Sequence, residues 1–130
     1  MTGRFQTDKD DRPVVLVVED DGGTATPLRI LLRHVGYQVR FARNLKQAKA
    51  MLNRDIACVV LDLMLPDGDG SEMITYAREK KLPTRFIVVT GVCETEYLRK
   101  VGGLRPDKLL PKPMEFTELL DALETPRPVA

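Results

Sequence analysis

The chain is 130 residues long and nearly neutral, with Lys+Arg 20 against Asp+Glu 19 and a net charge of +1 at pH 7. That length fits one ordinary domain, and so balanced a charge makes no electrostatic case for nucleic acid or an anionic membrane as the main partner. No apolar run approaches the roughly 18 residues that span a bilayer, and the opening MTGRFQTDKDDRP lacks the apolar segment of a signal peptide, so a cytoplasmic chain is expected.

Apolar, β-branched runs alternate along the chain with stretches of helical period, the pattern of repeated βα units and a mainly parallel sheet. VVLVV, Val14 to Val18, reads as the first strand. GTATPLRILLRHV follows as a helix with Leu28, Leu31, Leu32 and Val35 on one face, Thr24 or Thr26 as N-cap, Pro27 in the first turn and Gly36 as the stop. YQVRFA alternates like a strand, and NLKQAKAMLN offers Asn44 as a cap and Leu45, Ala48 and Leu52 as a buried stripe.

ACVVLDLMLPDGDG, Ala57 to Gly70, runs an apolar strand into a lone acid, Asp62, and then into proline, glycine and two more acids. A run of this kind is a strand buried on both faces. SEMITYAREK is then a third helix and RFIVVT a fourth strand. ETEYLRKV is a short fourth helix closed by Gly102 and Gly103, DKLL a brief fifth strand, and EFTELLDAL a fifth helix through Phe116, Leu119, Leu120 and Leu123. The expected domain covers 13–124, with a flexible segment at 1–12 and a proline-rich tail or start of a linker at 125–130.

In an open α/β sheet ligands bind at the carboxyl ends of the strands, and four strand ends here deliver polar groups: Glu19, Asp20 and Asp21 after the first, Asp62 after the third, Thr90 at the end of the fourth and Lys112 after the fifth. Crowded carboxylates repel one another, and a hard divalent cation such as Mg²⁺ offsets that charge while keeping water sites for phosphate oxygens. A carboxylate facing such a cation can attack phosphorus, and phosphoryl transfer then needs mainly alignment and charge neutralisation.

VLVVEDD, LDLMLPDGDG, VVTG and LPKPM, in this order and spacing, resemble the receiver domain of two-component response regulators over nearly the whole chain, from about Pro13 to Leu123. The resemblance implies a flavodoxin-like α/β fold, a doubly wound five-stranded parallel sheet of order 2-1-3-4-5 with five helices. It implies that Asp62 is the phosphoacceptor, served by a sensor histidine kinase or a histidine phosphotransfer protein, and that the chain is a regulator that assists its own phosphorylation and dephosphorylation rather than an enzyme. Mg²⁺ would be bound by the Asp20 and Asp62 side chains and the Met64 carbonyl, with Glu19 acting through water. Lys112 would contact the phosphoryl oxygens, Thr90 would hydrogen-bond one of them, and the Lys112–Pro113 bond would be cis. Output would leave through the face formed by the fourth helix, fifth strand and fifth helix, with no direct contact to nucleic acid or membrane.

Three positions depart from the family pattern or bear on rates. Leu109 stands where the fifth strand usually carries an aromatic residue that moves with the threonine, so Tyr97 is a candidate substitute. Met64 and Val92, two after the phosphoacceptor and two after the threonine, cannot hydrogen-bond an attacking water, which implies slow loss of phosphate. Asp67 and Asp69 read as loop and capping residues, His34 as a surface residue, and Cys58 and Cys93 as small partly buried ones.

Other readings fit less well. A receiver-like interaction module that no longer accepts phosphate is countered by the presence of Asp20, Asp62, Thr90 and Lys112. A haloacid-dehalogenase-type phosphatase needs a general acid two residues after its nucleophile, where this chain has Met64. A calcium loop starting at Asp67 would have Glu72 at its glycine position and Arg78 at its final glutamate.

Overall fold

The computed structural model describes residues 11–126. Its elements are β1 (Val14–Val18), α1 (Gly22–His34), β2 (Gln38–Ala42), α2 (Leu45–Met51), β3 (Ile56–Leu61), β4 (Met64–Leu65), β5 (Gly68–Asp69), α3 (Glu72–Glu79), β6 (Arg85–Thr90), α4 (Thr95–Gly103), β7 (Lys108–Pro111) and α5 (Phe116–Glu124). Five strands form one parallel sheet in the order β2-β1-β3-β6-β7. Counting only these strands, the order is the expected 2-1-3-4-5. The two-residue strands β4 and β5 form a separate antiparallel hairpin in the turn after Asp62, a feature the sequence reading took simply as a tight turn. The segment 1–12 lies mostly, and the tail 125–130 partly, outside the described residues.

The apolar runs are continuous because both faces of the sheet are covered. Leu16, Val18, Val59, Leu61, Phe86 and Val88 pack with Ala48, Met73, Ile74 and Val101 of α2, α3 and α4. On the other face Val15, Val17, Val60, Ile87 and Val89 meet Leu28 and Leu32 of α1 and Leu119 and Leu123 of α5. Each fully buried Val, Leu or Ile side chain contributes about 1.5–3 kcal/mol, so the strand ends are held by their own packing. Arg85 adds a tie between layers, donating to the carbonyls of Leu123 (3.1 Å) and Ala122 (3.0 Å) at the end of α5.

Helix α1 departs from the sequence reading at its start. Asp21, not Thr24 or Thr26, is the N-cap: its Oδ1 accepts from the Gly23 amide at 2.9 Å and its Oδ2 from the Thr24 hydroxyl at 3.1 Å. A carboxylate is at least as good a cap as a threonine hydroxyl, and it begins the helix early enough that Pro27 falls inside it rather than in its first turn. The buried stripe is Ala25, Leu28 and Leu32, while Leu31 and the C-cap residue Val35 are exposed. Gly36, at φ 105, ends the helix as expected.

The caps on α2 agree with the reading: Asn44 accepts from the Gln47 amide, and Leu45, Ala48 and Leu52 are buried. In α4 the two glycines lie within the last turn instead of closing it, and Leu104 is the C-cap. The Lys112–Pro113 peptide is cis.

Candidate phosphoacceptor site

The site forms where β1 and β3 end side by side. Val18 is in register with Leu61, so the residues that follow, Glu19 and Asp62, emerge from adjacent strands. Thr90 is in register with Pro111, which brings Lys112 to the same edge. Asp62 is 8% exposed and Glu19 6%. Two buried carboxylates this close are tolerated because the Lys112 ammonium lies between them, 3.0 Å from Glu19 Oε1 and 3.3 Å from Asp62 Oδ2.

The remaining oxygens of these acids are also engaged. Asp62 Oδ1 accepts from the Met64 amide at 3.1 Å, and Glu19 Oε2 from the Asp21 amide at 3.3 Å. Burial pushes the Glu19 carboxyl above its ordinary range; the Lys112 bond opposes this, but the neighbouring charge of Asp62 adds to it. For Lys112 burial pulls downward, yet the bond to Glu19 and the charge of Asp62 outweigh it and the ammonium is held above its usual value. Lys112 is therefore a firm cation.

Asp20 is exposed and contributes the third carboxylate. Oxygens of Glu19, Asp20 and Asp62 all lie within 4.8 Å of one another, a spacing from which one cation could be held. An all-oxygen donor set of this kind suits a hard divalent ion rather than a thiophilic one. Thr90 is buried, and its hydroxyl oxygen accepts from the Val92 amide at 3.0 Å.

One cavity opens on the acids and a second runs beside the hairpin that follows Asp62. The first, of about 580 Å³, is lined by Glu19, Asp62, Lys112, Pro27, Leu31 and Met114. The other, of about 500 Å³, is lined by Met64, Leu65, Asp69, Val92, Glu94 and Tyr97. Met64 is 66% exposed on that second rim. Gly70 makes the hairpin fit: a Cβ there would lie 2.3 Å from the Asp62 carbonyl oxygen and 2.9 Å from Leu63 Cα.

The acids after Pro66 act as caps and ties. Asp67 accepts from the Leu45 and Lys46 amides at the start of α2, at 2.7 and 3.0 Å. Asp69 Oδ1 accepts from the Ser71 amide at 2.9 Å and from the Tyr97 hydroxyl of α4. The reading of the chain left the Tyr97–Asp69 bond out because the two residues are remote in sequence and nothing in their spacing signals a contact. Asp21's amide contact to Glu19 was likewise outside it. Leu109, 36% exposed, belongs to neither core cluster.

Burial and the bond to Asp69 push the Tyr97 phenol up to about 12. Burial pushes Asp69 up as well, but the bonds from Tyr97 and Ser71 outweigh it and leave the carboxyl below its ordinary value. The stabilisation from Tyr97 is thus complete below pH 10.0 and is lost as pH rises through about 12; that from Asp69 is complete above 3.8 and is lost as pH falls below it. In urea unfolding, the stability difference between wild type and Tyr97→Phe is expected to stay flat through neutral pH and to shrink above pH 10.0. A difference that persists unchanged into strong alkali would mean the hydroxyl contributes nothing.

The family model described as the response regulator receiver domain matches residues 15–124. The chain belongs to that family. Among curated relatives, the receiver is 30% identical over 110 residues to the photosynthetic apparatus regulatory protein RegA of Rhodobacter capsulatus, covering 84% of this chain and 60% of RegA. It is 28% identical over 108 residues to the cell cycle transcriptional regulator CtrA of Caulobacter vibrioides, covering 82% of this chain and 46% of CtrA. The receiver therefore spans about half the length of the curated relatives it matches. Among solved structures, the non-phosphorylated HemR receiver domain of Leptospira biflexa superimposes with a TM-score of 0.81 at 27% identity, over 92% of this chain and 100% of that one. A Burkholderia pseudomallei response regulator, crystallised with a phosphorylated aspartic acid, calcium ion and citrate, matches at 27% identity with a TM-score of 0.76, over 88% of this chain and 68% of that one. Among the described residues no helix is long and apolar enough to cross a membrane.

Proposed function

We propose that this receiver takes a phosphoryl group onto Asp62 from a histidine of a sensor kinase or phosphotransfer protein and changes its partner contacts in response. The observation that carries the reading is the Lys112 ammonium 3.3 Å from Asp62 Oδ2, with two further carboxylates in reach of the same point. A carboxylate oxygen of Asp62 attacks phosphorus, the O–P bond forms as the P–N bond to the donor imidazole breaks, and the electron pair leaves with the imidazole nitrogen, which takes up a proton.

Asp20, Asp62 and the Met64 carbonyl would hold Mg²⁺, with Glu19 acting through water; the ion supplies neutralisation of charge on the transferred group. Lys112 exchanges its contact with Asp62 for the incoming phosphoryl oxygens and keeps Glu19 as its anchor. The Thr90 hydroxyl, which accepts from Val92, is free to donate its own hydrogen to a phosphoryl oxygen. The phosphorylated aspartate and cation in the Burkholderia pseudomallei neighbour support this reading. Incubation with acetyl phosphate and Mg²⁺ tests it: the expected adduct is an acyl phosphate, cleaved by hydroxylamine, whereas a hydroxylamine-stable phosphate would overturn it.

Loss of the phosphoryl group is expected to be slow among receivers, because Met64 and Val92, which line the cavity beside the hairpin after Asp62, cannot orient a water. Exchanging them for asparagine and glutamine should shorten the phosphorylated lifetime about tenfold, the equivalent of one net hydrogen bond of ~1.4 kcal/mol. An unchanged or longer lifetime in the double variant counts against this account.

Output is read on the face of α4, β7 and α5, with the response carried by the loop from Gly91 to Glu94 and by α4. Tyr97 ties α4 to the hairpin after Asp62 through Asp69, while Leu109 has no ring or hydroxyl with which to follow Thr90. On adding beryllofluoride, amide shifts are expected to be large from Glu94 to Val101 and small at Leu109. Shifts confined to the acidic pocket would contradict a readout on that face.

A further inference from the structure

Charge is distributed unevenly along this nearly neutral chain. Residues 22–54 contain seven lysines and arginines and no aspartate or glutamate, so the segment is +7 and the rest of the chain −6. The segment folds as α1, β2 and α2, and β2 is an edge strand paired only with β1. Two of its seven cations meet at one place: Arg33 in the last turn of α1 and Arg40 on β2 join Arg12, Tyr37, Gln38 and Val39 around a cavity of about 370 Å³. The Gln38 side-chain amide donates to the Arg12 carbonyl at 2.9 Å and pins the wall of the hollow. Arg33 and Arg40 are exposed, and the ion pairs of the described residues engage other cations. Glu124, at the end of α5, is a carboxylate whose field reaches Tyr37.

From this arrangement we infer an anion pocket at the start of β2 that takes a phosphate group carrying more than one negative charge. Guanidinium groups present paired N–H donors that match phosphate oxygens two at a time, and converging arginines favour a multiply charged anion over a single carboxylate. The volume lies within the roughly 300–1,000 Å³ of small-ligand sites. The pocket sits at the amino ends of β1 and β2, whereas Glu19 and Asp62 follow their carboxyl ends, so about 17 Å of strand separates the two. The pocket is therefore a site distinct from the one at Asp62. A phosphorylated small molecule and a nucleic-acid backbone share the required chemistry.

Amide shifts of the full chain titrated with pyrophosphate, in EDTA and at fixed ionic strength, test the inference. Saturable shifts at Arg33, Tyr37, Gln38 and Arg40 are expected, with affinity about tenfold weaker in Arg33→Gln and in Arg40→Gln and unchanged in Lys80→Gln. A 20-nucleotide oligomer that moves the same amides and is displaced by pyrophosphate would identify the backbone as the phosphate source for the same pocket. Shifts no greater than those with chloride, equal weakening in Lys80→Gln, or shifts centred on Asp62 would overturn it, as would oligomer binding that pyrophosphate does not displace.

Discussion

Asp20→Ala is expected to abolish Mg²⁺ binding and Mg²⁺-dependent phosphorylation while leaving the fold intact. Asp20 is exposed, and unlike Glu19 and Asp62 it holds neither Lys112 nor a backbone amide. Its removal breaks no tie and relieves repulsion among three carboxylates within 4.8 Å. Surface changes of this type usually stay within about 0.5 kcal/mol, or roughly 2 °C in Tm for a domain of this size. Thermal melts in metal-free buffer check the second half of the claim and Mg²⁺ titration the first. A large fall in Tm would make Asp20 structural.

Gly70→Ala is expected to damage both stability and phosphorylation, for a different reason. The added Cβ would lie 2.3 Å from the carbonyl oxygen of Asp62 itself. Because the obstacle is backbone, it cannot swing aside as a side chain would. The hairpin that turns the chain into α3 must shift, at a cost of about 1–3 kcal/mol, which lowers Tm by roughly 5–15 °C. Displacing Asp62 by ~1 Å would slow its reaction about 100-fold. A Gly70→Ala protein with wild-type melting and phosphorylation rates would mean that the close approach is readily relieved.

Much of this was legible in the sequence because the signals are local or periodic. Three central apolar strands buried on both faces and two edge strands, the caps at Asn44 and Gly36, and the order of the acidic, threonine and lysine strand ends all read directly. Asp21 was missed as the α1 cap because two threonines nearer the apolar stripe compete for the same role, and only the folded geometry brings Asp21 onto Gly23 and Thr24. The Tyr97–Asp69 bond joins residues far apart in the chain, and a net charge of +1 conceals the charge segregation behind the arginine hollow.

The most direct test of the central claim is intact-mass and peptide-mapping spectrometry of the full chain after acetyl phosphate and Mg²⁺, with wild type and Asp62→Asn treated side by side. The account predicts one added phosphoryl group on wild type, mapped to the peptide bearing Asp62, and none on Asp62→Asn. A phosphoryl group that persists on Asp62→Asn, or that maps to another residue, would contradict it.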